Sequence, residues 1–167
     1  MILSKELEKM LNQQVTNEFG ASMQYLQIAS YFDEEDLVKF AELFFEQAQE
    51  ERDHAMKLLD YINEAGGHVS IGEVAKPIDT FSSAEEAVKA ALTWEEDVTK
   101  QIYNLMDIAI KDGDYISQNF LKWFVDEQLE EISKMGTILA IVKRSADNLL
   151  IAEQYVMDAL PEEPAAE

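Results

Sequence analysis

The sequence predicts an all-α fold: a four-helix bundle with one long crossover and a short fifth helix near the C-terminus. Apolar residues recur every three or four positions over long segments, which is the spacing of one helix face. The chain has only six glycines and three prolines, and most of them stand between those segments. Three connections are short and one is long, as in a bundle with a single crossover.

Capping and stop signals set the limits of the first two helices. Ser4 can cap a first helix that extends to about residue 32, where the acidic stretch 33–36 begins. A second helix follows at about residues 37–65, and the Gly-Gly pair at 66–67 ends it. We expect these two helices to be antiparallel because the turn between them is short.

The second helical pair begins with a capping box. Ser83 and Glu86 stand three residues apart, so each can satisfy a backbone amide at the start of a helix over residues 84–111. Gly113 ends that helix, a fourth helix spans about 115–144, and a short fifth spans about 147–160.

The connection 66–81 has little periodicity, apart from a short extended piece expected at 68–71. Its length fits a crossover that passes along the whole bundle. We therefore divide the chain into a four-helix bundle over 1–145, a short helix over 146–160 and a mobile tail over 161–167.

Composition narrows the classes of function. The 167 residues include 34 acidic and 13 basic side chains, a net charge of −21, which disfavours nucleic acid as a partner and favours cations. Without cysteine there are no thiolate metal ligands. No segment has the roughly 20 apolar residues of a membrane span, and the N-terminus does not read as a signal peptide, so we expect a cytoplasmic protein without membrane partners.

A carboxylate interrupts the apolar stripe of each long helix near its middle. These four residues are Glu18, Glu51, Glu95 and Glu131, and each lies where an apolar residue is expected. Four carboxylates at matching depth would repel one another in a dry core unless cations lay among them. His54 follows Glu51 by one helical turn and adds a nitrogen ligand, so the set suits Fe, Mn or Zn. The predicted stripes comprise Leu7, Leu11, Gln14, Glu18, Ala21, Tyr25, Ile28 and Phe32; Phe44, Ala48, Glu51, Ala55, Leu58 and Ile62; Ala84, Val88, Ala91, Glu95, Val98, Ile102, Leu105 and Ala109; and Leu121, Phe124, Gln128, Glu131, Met135, Ile138 and Val142.

These motifs resemble the non-haem bacterial ferritins, most closely the branch that the mycobacterial type represents. The matching stretches are NEFGASMQYLQIASYFDEEDL, QAQEERDHAMKLL, the helix of Glu95, FLKWFVDEQLEE and ADNLLIAEQYV. Ferritin-like di-iron bundles are themselves the standard example of this carboxylate and Glu-x-x-His ligand pattern.

The resemblance implies an iron-storage ferroxidase, in which dioxygen or hydrogen peroxide oxidises two Fe(II) ions inside a shell of twenty-four subunits. Glu18 and His54 would bind the first iron, Glu51 would bridge both, and Glu95 and Glu131 would bind the second. The remaining roles implied are Gln128 as a weak ligand or hydrogen bonder, Tyr25 as a catalytic neighbour, Trp123 as a nearby aromatic residue, and Glu50, Glu127 and Glu130, with Glu131 shared, as a third iron site.

The chain also departs from related families. Bacterioferritins have a haem-ligating methionine where this chain has Arg52, so no haem is expected. Animal ferritins line a three-fold channel with acids at positions that correspond to Gln118 and Leu121 here, which puts iron entry by that route in doubt.

Two other classes of function remain open at this point. One is another di-iron enzyme, such as a soluble oxidase or a rubrerythrin-like peroxidase, although the latter needs paired cysteines that this chain lacks. The other is a metal-free helical protein that binds partner proteins. Metal content and assembly size would separate these alternatives from a ferritin.

Overall fold

The chain forms five α-helices in a computed structural model that describes residues 3–145 and 148–159. No described helix is long and apolar enough to cross a membrane. Strands are also absent from the described residues, including 68–71, where we expected a short extended piece. The helices are α1 (Lys5–Glu34), α2 (Val38–Glu64), α3 (Ala84–Lys111), α4 (Tyr115–Ser145) and α5 (Leu149–Ala159).

Contacts between the helices establish an up-down-down-up bundle. α1 packs mainly on α2, and α3 packs mainly on α4, as the short turns predict. Lys111, at the end of α3, pairs with Glu6 at the start of α1, so these helices are antiparallel. α2 and α3 therefore point the same way, which is what the long crossover between them permits.

Every residue of the four predicted stripes is buried, as the helical spacing predicts. The apolar members other than Ala55 fall into two clusters, one around Phe32 and Phe44 and the other around Leu11 and Leu58. The interrupting carboxylates occur between the two clusters along the sequence of each helix. The bundle therefore has two apolar cores with a polar layer between them.

The helix ends confirm most of the predicted signals. Ser4 accepts a hydrogen bond from the Leu7 amide, and Ser83 accepts one from the Glu86 amide. Gly66 has a φ of 77° and Gly113 a φ of 66°, the left-handed conformation that favours glycine at a helix end. The expected break over 33–36 was placed too early because α1 continues through Glu34, and the turn follows it with Asp36 in the left-handed region at a φ of 57°.

The crossover is attached to α1 by a ladder of side-chain hydrogen bonds. Glu8 accepts from the His68 amide at 2.7 Å, Asn12 accepts from the Ser70 amide at 2.6 Å, and Thr16 accepts from the Gly72 amide at 2.9 Å. Four residues of α-helix rise about 6.0 Å, and two residues of extended chain span about 6.6 Å, so the two repeats match. The ladder resumes where Gln24 both accepts from and donates to the backbone of Ile78.

Two further features complete the ladder and the fold. Gly20 occupies the next position, where an added Cβ would lie 3.4 Å from the Trp94 ring and 3.9 Å from Val74.

Glu153 of α5 accepts from the amides of Lys39 and Phe40 at 2.6 and 3.1 Å, at the start of α2. The predicted ends of the fifth helix, 147 and 160, and the tail 161–167 lie outside the described residues.

Candidate metal centre

Five side chains from all four long helices meet in the polar layer. Glu18 comes from α1, Glu51 and His54 from α2, Glu95 from α3 and Glu131 from α4. Their exposed fractions are between 1% and 7%, so all five are withdrawn from bulk water. The structure thus brings together the four interrupting carboxylates and the histidine that the sequence singled out.

The five side chains form two groups that share one carboxylate. Glu18, Glu51 and His54 each offer a ligand atom within 4.8 Å of the others, and so do Glu51, Glu95 and Glu131. Glu51 is therefore the member that the two groups have in common. This arrangement has the form of a two-metal site with a bridging carboxylate.

Three buried glutamines hold the carboxylates in place. Gln14 donates to Glu18 Oε1 at 2.8 Å, one helical turn away on α1. Gln47 donates to Glu51 Oε1 at 2.9 Å with the same four-residue offset on α2. Gln14 lies on the predicted stripe of α1, whereas Gln47 was not predicted, although the repeated Gln-x-x-x-Glu spacing was a usable signal.

Gln128 acts through hydrogen bonds in this structure. Its Nε2 donates to Glu95 Oε2 at 3.1 Å and lies 3.2 Å from Thr99 Oγ1. Of the two roles that the resemblance implies for Gln128, the geometry supports a hydrogen bonder that fixes Glu95.

Several buried oxygens lack a hydrogen-bond partner in the described structure. They are Glu18 Oε2, Glu131 Oε2 and Gln47 Oε1. A buried acceptor without a partner is costly, and a carboxylate oxygen in that state can be satisfied by a cation. The donor set of carboxylate oxygens and one imidazole fits iron, manganese or zinc.

Three of the four carboxylates have raised pKa values in the metal-free centre, which favours their protonated forms. Burial and the negative charge of Glu51 raise the pKa of Glu18 to about 8. The same two causes raise the pKa of Glu131 to about 7. Burial, Glu51 and Glu131 together raise the pKa of Glu95 well above its ordinary value.

His54 is the internal counter-charge of the metal-free centre. Its Nδ1 lies 3.2 Å from Glu51 Oε2. Burial alone would lower the pKa of His54, but the hydrogen bond and charge of Glu51, with the charges of Glu18 and Glu131, raise it to about 10. A protonated imidazole cannot bind a metal, so a cation must displace that proton.

Aromatic residues enclose the centre on two sides. The Tyr25 hydroxyl donates to Glu95 Oε1, and burial followed by the charge of Glu95 raises the pKa of Tyr25 well above its ordinary value. The Trp123 ring packs edge-on to His54 with centroids 5.4 Å apart. Lys57 Nζ lies over the Trp123 ring, 4.1 Å from its centroid. The resemblance placed both aromatic residues near the centre, and the structure has them there.

The acids of the third site lie beside the centre but do not form a compact group like the other two. Glu127 Oε1 is 3.8 Å from His54 Nε2, and Glu50 Oε2 is 3.1 Å from Lys134 Nζ. Glu130 is exposed one residue before Glu131. Among residues 3–145 and 148–159, the three-ligand groups are those that share Glu51.

The positions that depart from related families have structural roles or face solvent. Arg52 is exposed on α2. Gln118 donates to the carbonyl oxygen of Ala109 at 3.1 Å, and Leu121 is completely buried in the apolar core. Leu121 therefore cannot line a channel, in keeping with the doubt about iron entry at this position.

Comparison with known proteins agrees with the geometry. A family model described as a ferritin-like domain matches residues 8–145. The chain is 42% identical over 147 residues to a bacterial non-heme ferritin of Staphylococcus aureus, covering 88% of this chain and 89% of that protein. The corresponding protein of Staphylococcus haemolyticus is 41% identical over 147 residues, with the same coverage. A crystal structure of an open pore ferritin from Archaeoglobus fulgidus superposes with a TM-score of 0.89 at 32% identity, covering 92% of this chain and 97% of that one.

Proposed function

The chain belongs to the ferritin family, and from this premise we propose that it stores iron and that its buried centre is a ferroxidase site. The observation that carries the proposal is that Glu51 belongs to both three-ligand groups. A structural ion pair would need one partner for Glu51, whereas a two-metal site needs one carboxylate that reaches both ions. The substrates are Fe(II) and dioxygen or hydrogen peroxide.

Each ligand group would hold one Fe(II). Glu18 and His54 bind the first ion, Glu95 and Glu131 bind the second, and Glu51 contacts both. Two ions about 3.5–4 Å apart repel each other, and a shared carboxylate offsets that repulsion. The glutamines Gln14, Gln47 and Gln128 restrict the carboxylates to the orientations that the ions need.

The electron count suits a paired site. Each Fe(II) gives up one electron, so two ions together supply the two electrons that reduce dioxygen, with two protons, to hydrogen peroxide. Hydrogen peroxide as oxidant takes two electrons and two protons to yield two waters. Carboxylate ligands favour the product because hard oxygen ligands bind the more highly charged Fe(III) more tightly.

The protons of the metal-free centre leave as iron binds. Glu18 and His54 both keep a proton at neutral pH, and each must lose it to become a ligand. Iron binding should therefore release protons before any oxidation. We expect no haem in this reaction, because Arg52 offers no thioether sulfur.

We further propose that the oxidised iron accumulates as mineral inside a shell of twenty-four subunits. The family of the chain and its structural similarity to an open pore ferritin support this assembly. The net charge of −21 supports it as well, since acidic side chains concentrate cations and can nucleate a mineral. The site of action in the cytoplasm stays a prediction.

Rapid mixing of the metal-free protein with Fe(II) under excess oxygen tests the proposal. Glu51→Ala should abolish fast oxidation because both ions lose a ligand. His54→Ala should weaken mainly the first site and Glu95→Ala mainly the second, so each variant should bind one of the two ions normally. Glu46→Ala is the matched control, because Glu46 is an exposed acid on the same helix.

Binding of Zn²⁺, which is redox-inert, should show the same effects of these substitutions on the two sites without any oxidation. The wild-type protein should bind two ions per chain at the centre, and Glu51→Ala should bind neither tightly. Oxidation by Glu51→Ala at the wild-type rate would refute the di-iron assignment.

A further inference from the structure

Lys134 of α4 makes an ion pair unlike the other lysine pairs of the described residues. Its Nζ lies 3.1 Å from Glu50 Oε2 on α2, and the two side chains are only 23% and 25% exposed. The other lysine ion pairs in residues 3–145 and 148–159 have side chains that are 48–80% exposed. Water screens those pairs strongly, but it screens Lys134 and Glu50 much less.

The position of this pair is beside the metal centre. Glu50 precedes Glu51 in sequence, and Lys134 follows Glu131 by one helical turn. Burial and Glu51 raise the pKa of Glu131, whereas the charge of Lys134 acts in the opposite direction. Lys134 is therefore close enough to act on a ligand of the centre and is held against a neighbouring acid.

We propose that the ammonium group of Lys134 occupies the place of a cation at the third iron site and limits this chain to two tightly bound divalent ions. The inference rests on the proposed function, because the acids of that site, Glu50, Glu127 and Glu130, would take their metal next to an occupied di-iron centre. It adds a residue that sets how many ions bind.

Two physical effects make the ammonium a competitor. An ammonium group is a pure donor, so the lone pairs of Glu50 that face it are not available to a metal. It also carries a positive charge, which repels a divalent ion within a few ångströms, and the partly buried setting weakens screening. A metal at this position must first displace the ammonium group.

A lysine side chain can compete with a metal ion for this position and can also move away from it. Its charge sits at the end of a flexible four-carbon chain, so it can swing into solvent when the local iron concentration is high. Removing the charge should strengthen the third site without touching a ligand of the first two.

The test counts Zn²⁺ bound to the metal-free protein and locates it. We expect two ions per chain in the wild type and three in Lys134→Met, with the third anomalous diffraction peak among Glu50, Glu127 and Glu130. Affinity at that position should rise by on the order of tenfold or more. Lys134→Gln is a second neutral variant and should behave in the same way.

Two controls keep the charge argument separate from a change of shape. Lys134→Arg retains the positive charge and should keep the count at two. Lys143→Met makes the same substitution on the same helix and breaks the pair of Lys143 with Glu85 on α3, 3.6 Å apart, far from the centre. It should also bind two ions.

The outcomes separate this inference from the proposed function. A third tightly bound ion in the wild type, or only two ions in both neutral variants, would overturn the role of Lys134 and leave the di-iron centre standing. Absence of Zn²⁺ around Glu51 in the wild type would instead overturn the ferroxidase assignment. The two ions at the centre also report that each variant is folded.

Discussion

At the residue scale, the buried acids of the centre lower the folding stability of the metal-free protein. Glu18, Glu95 and Glu131 are each buried beside Glu51, and burial together with the charge of Glu51 raises the pKa of each, which favours the protonated form. The arrangement is unfavourable for folding and favourable for cations, because two divalent ions replace the protons and satisfy the unpartnered oxygens. The carboxylates are therefore better explained by metal binding than by stability.

The pKa shifts predict an unusual dependence of stability on pH. The pKa of Glu18 is about 8 in the folded chain against 4.5 for an ordinary glutamate, so the folded state binds more protons between these values. The stability of the metal-free protein should fall as pH rises through this window, by up to a few kcal/mol. Glu131, with a pKa of about 7, and His54, raised from 6.5 to about 10, act in the same direction.

Chemical unfolding of metal-free protein at pH 6 and pH 8.5 measures this slope. Glu18→Gln removes one titrating group and keeps an acceptor for Gln14, so its stability should fall less over the same interval. Bound Zn²⁺ should remove most of the effect, because the ligands are then deprotonated at both pH values. Equal slopes in the wild type and Glu18→Gln would show that Glu18 does not hold a proton.

At the scale of elements, side chains of α1 determine where the crossover lies. The Asn12 side chain accepts from the Ser70 amide and donates to the carbonyl oxygen of His68 at 2.9 Å, so it engages both sides of one peptide segment. Polar side chains at four-residue spacing on α1 therefore bond to the backbone of the crossover, as a neighbouring strand does in a sheet.

Asn12→Ala should release the middle of the crossover. The loss of its hydrogen bonds should cost about 1–2 kcal/mol, since water can replace part of them. Hydrogen exchange of a peptide covering residues 66–81 should become faster, while the helices exchange as before. Gln13→Ala is the control, because Gln13 is exposed and its side chain, within the described residues, bonds only to the half-buried Asn17 on the same helix. Unchanged exchange in Asn12→Ala would mean that packing alone holds the crossover.

A carboxylate of α5 replaces the missing cap of α2. Leu37, at the N-cap position, makes no side-chain cap, and Glu153 supplies the acceptor from a distant part of the chain. Its negative charge also interacts favourably with the positive N-terminal end of the helix dipole. This contact fixes α5 against the start of α2, although α5 follows α4 in sequence.

Glu153→Ala should therefore loosen α5 at a cost of about 1–2 kcal/mol. Faster hydrogen exchange over residues 149–159 would report the release, with Fe(II) oxidation unaffected. Glu153→Gln keeps an acceptor without the charge and should have an intermediate effect. Asp158→Ala, an exposed acid on the same helix, should change neither property. The docking model fails if Glu153→Ala exchanges at the wild-type rate.

What the sequence could predict depended on the range of the interaction. The buried stripes, the caps at Ser4 and Ser83 and the five side chains of the candidate centre follow from helical period and spacing, which are local properties. The ladder from Asn12, the cap from Glu153 and the pair of Lys134 were not predicted. Each joins residues distant in sequence, and the individual residues read as ordinary polar helix surface.

At the scale of the whole molecule, the surface has apolar side chains that a single chain leaves exposed. Met23 is 45% exposed and Leu26 is 40% exposed on α1, and Ile78 of the neighbouring crossover is 54% exposed. Met23 and Leu26 are three residues apart and share one face of α1, and the hydrogen bonds of Gln24 hold the Ile78 backbone against the same helix. Apolar clusters of this kind mark contact surfaces in proteins that assemble.

Assembly and the proposed catalysis should be separable, because the candidate ligands of the centre all come from one chain. Every member of the two three-ligand groups lies on α1 to α4 of the same bundle. A dissociated subunit should thus still bind two metal ions, although it cannot enclose a mineral. This distinguishes the local chemistry of the centre from storage, which needs the shell.

Met23→Glu combined with Ile78→Glu should therefore reduce the size of the assembly while leaving the centre intact. Each buried carboxylate would cost several kcal/mol at a contact between subunits unless it found a partner, and the contact repeats in every subunit. Light scattering after size exclusion should show smaller species than the wild type, which we expect at twenty-four times the mass of one chain. Lys100→Glu is the control, because it changes the net charge by the same amount at an exposed position on α3. Two Zn²⁺ ions per dissociated chain would show that the bundle alone builds the centre. Retention of the full assembly by the double variant would exclude this face of α1 and the crossover from the contacts between subunits.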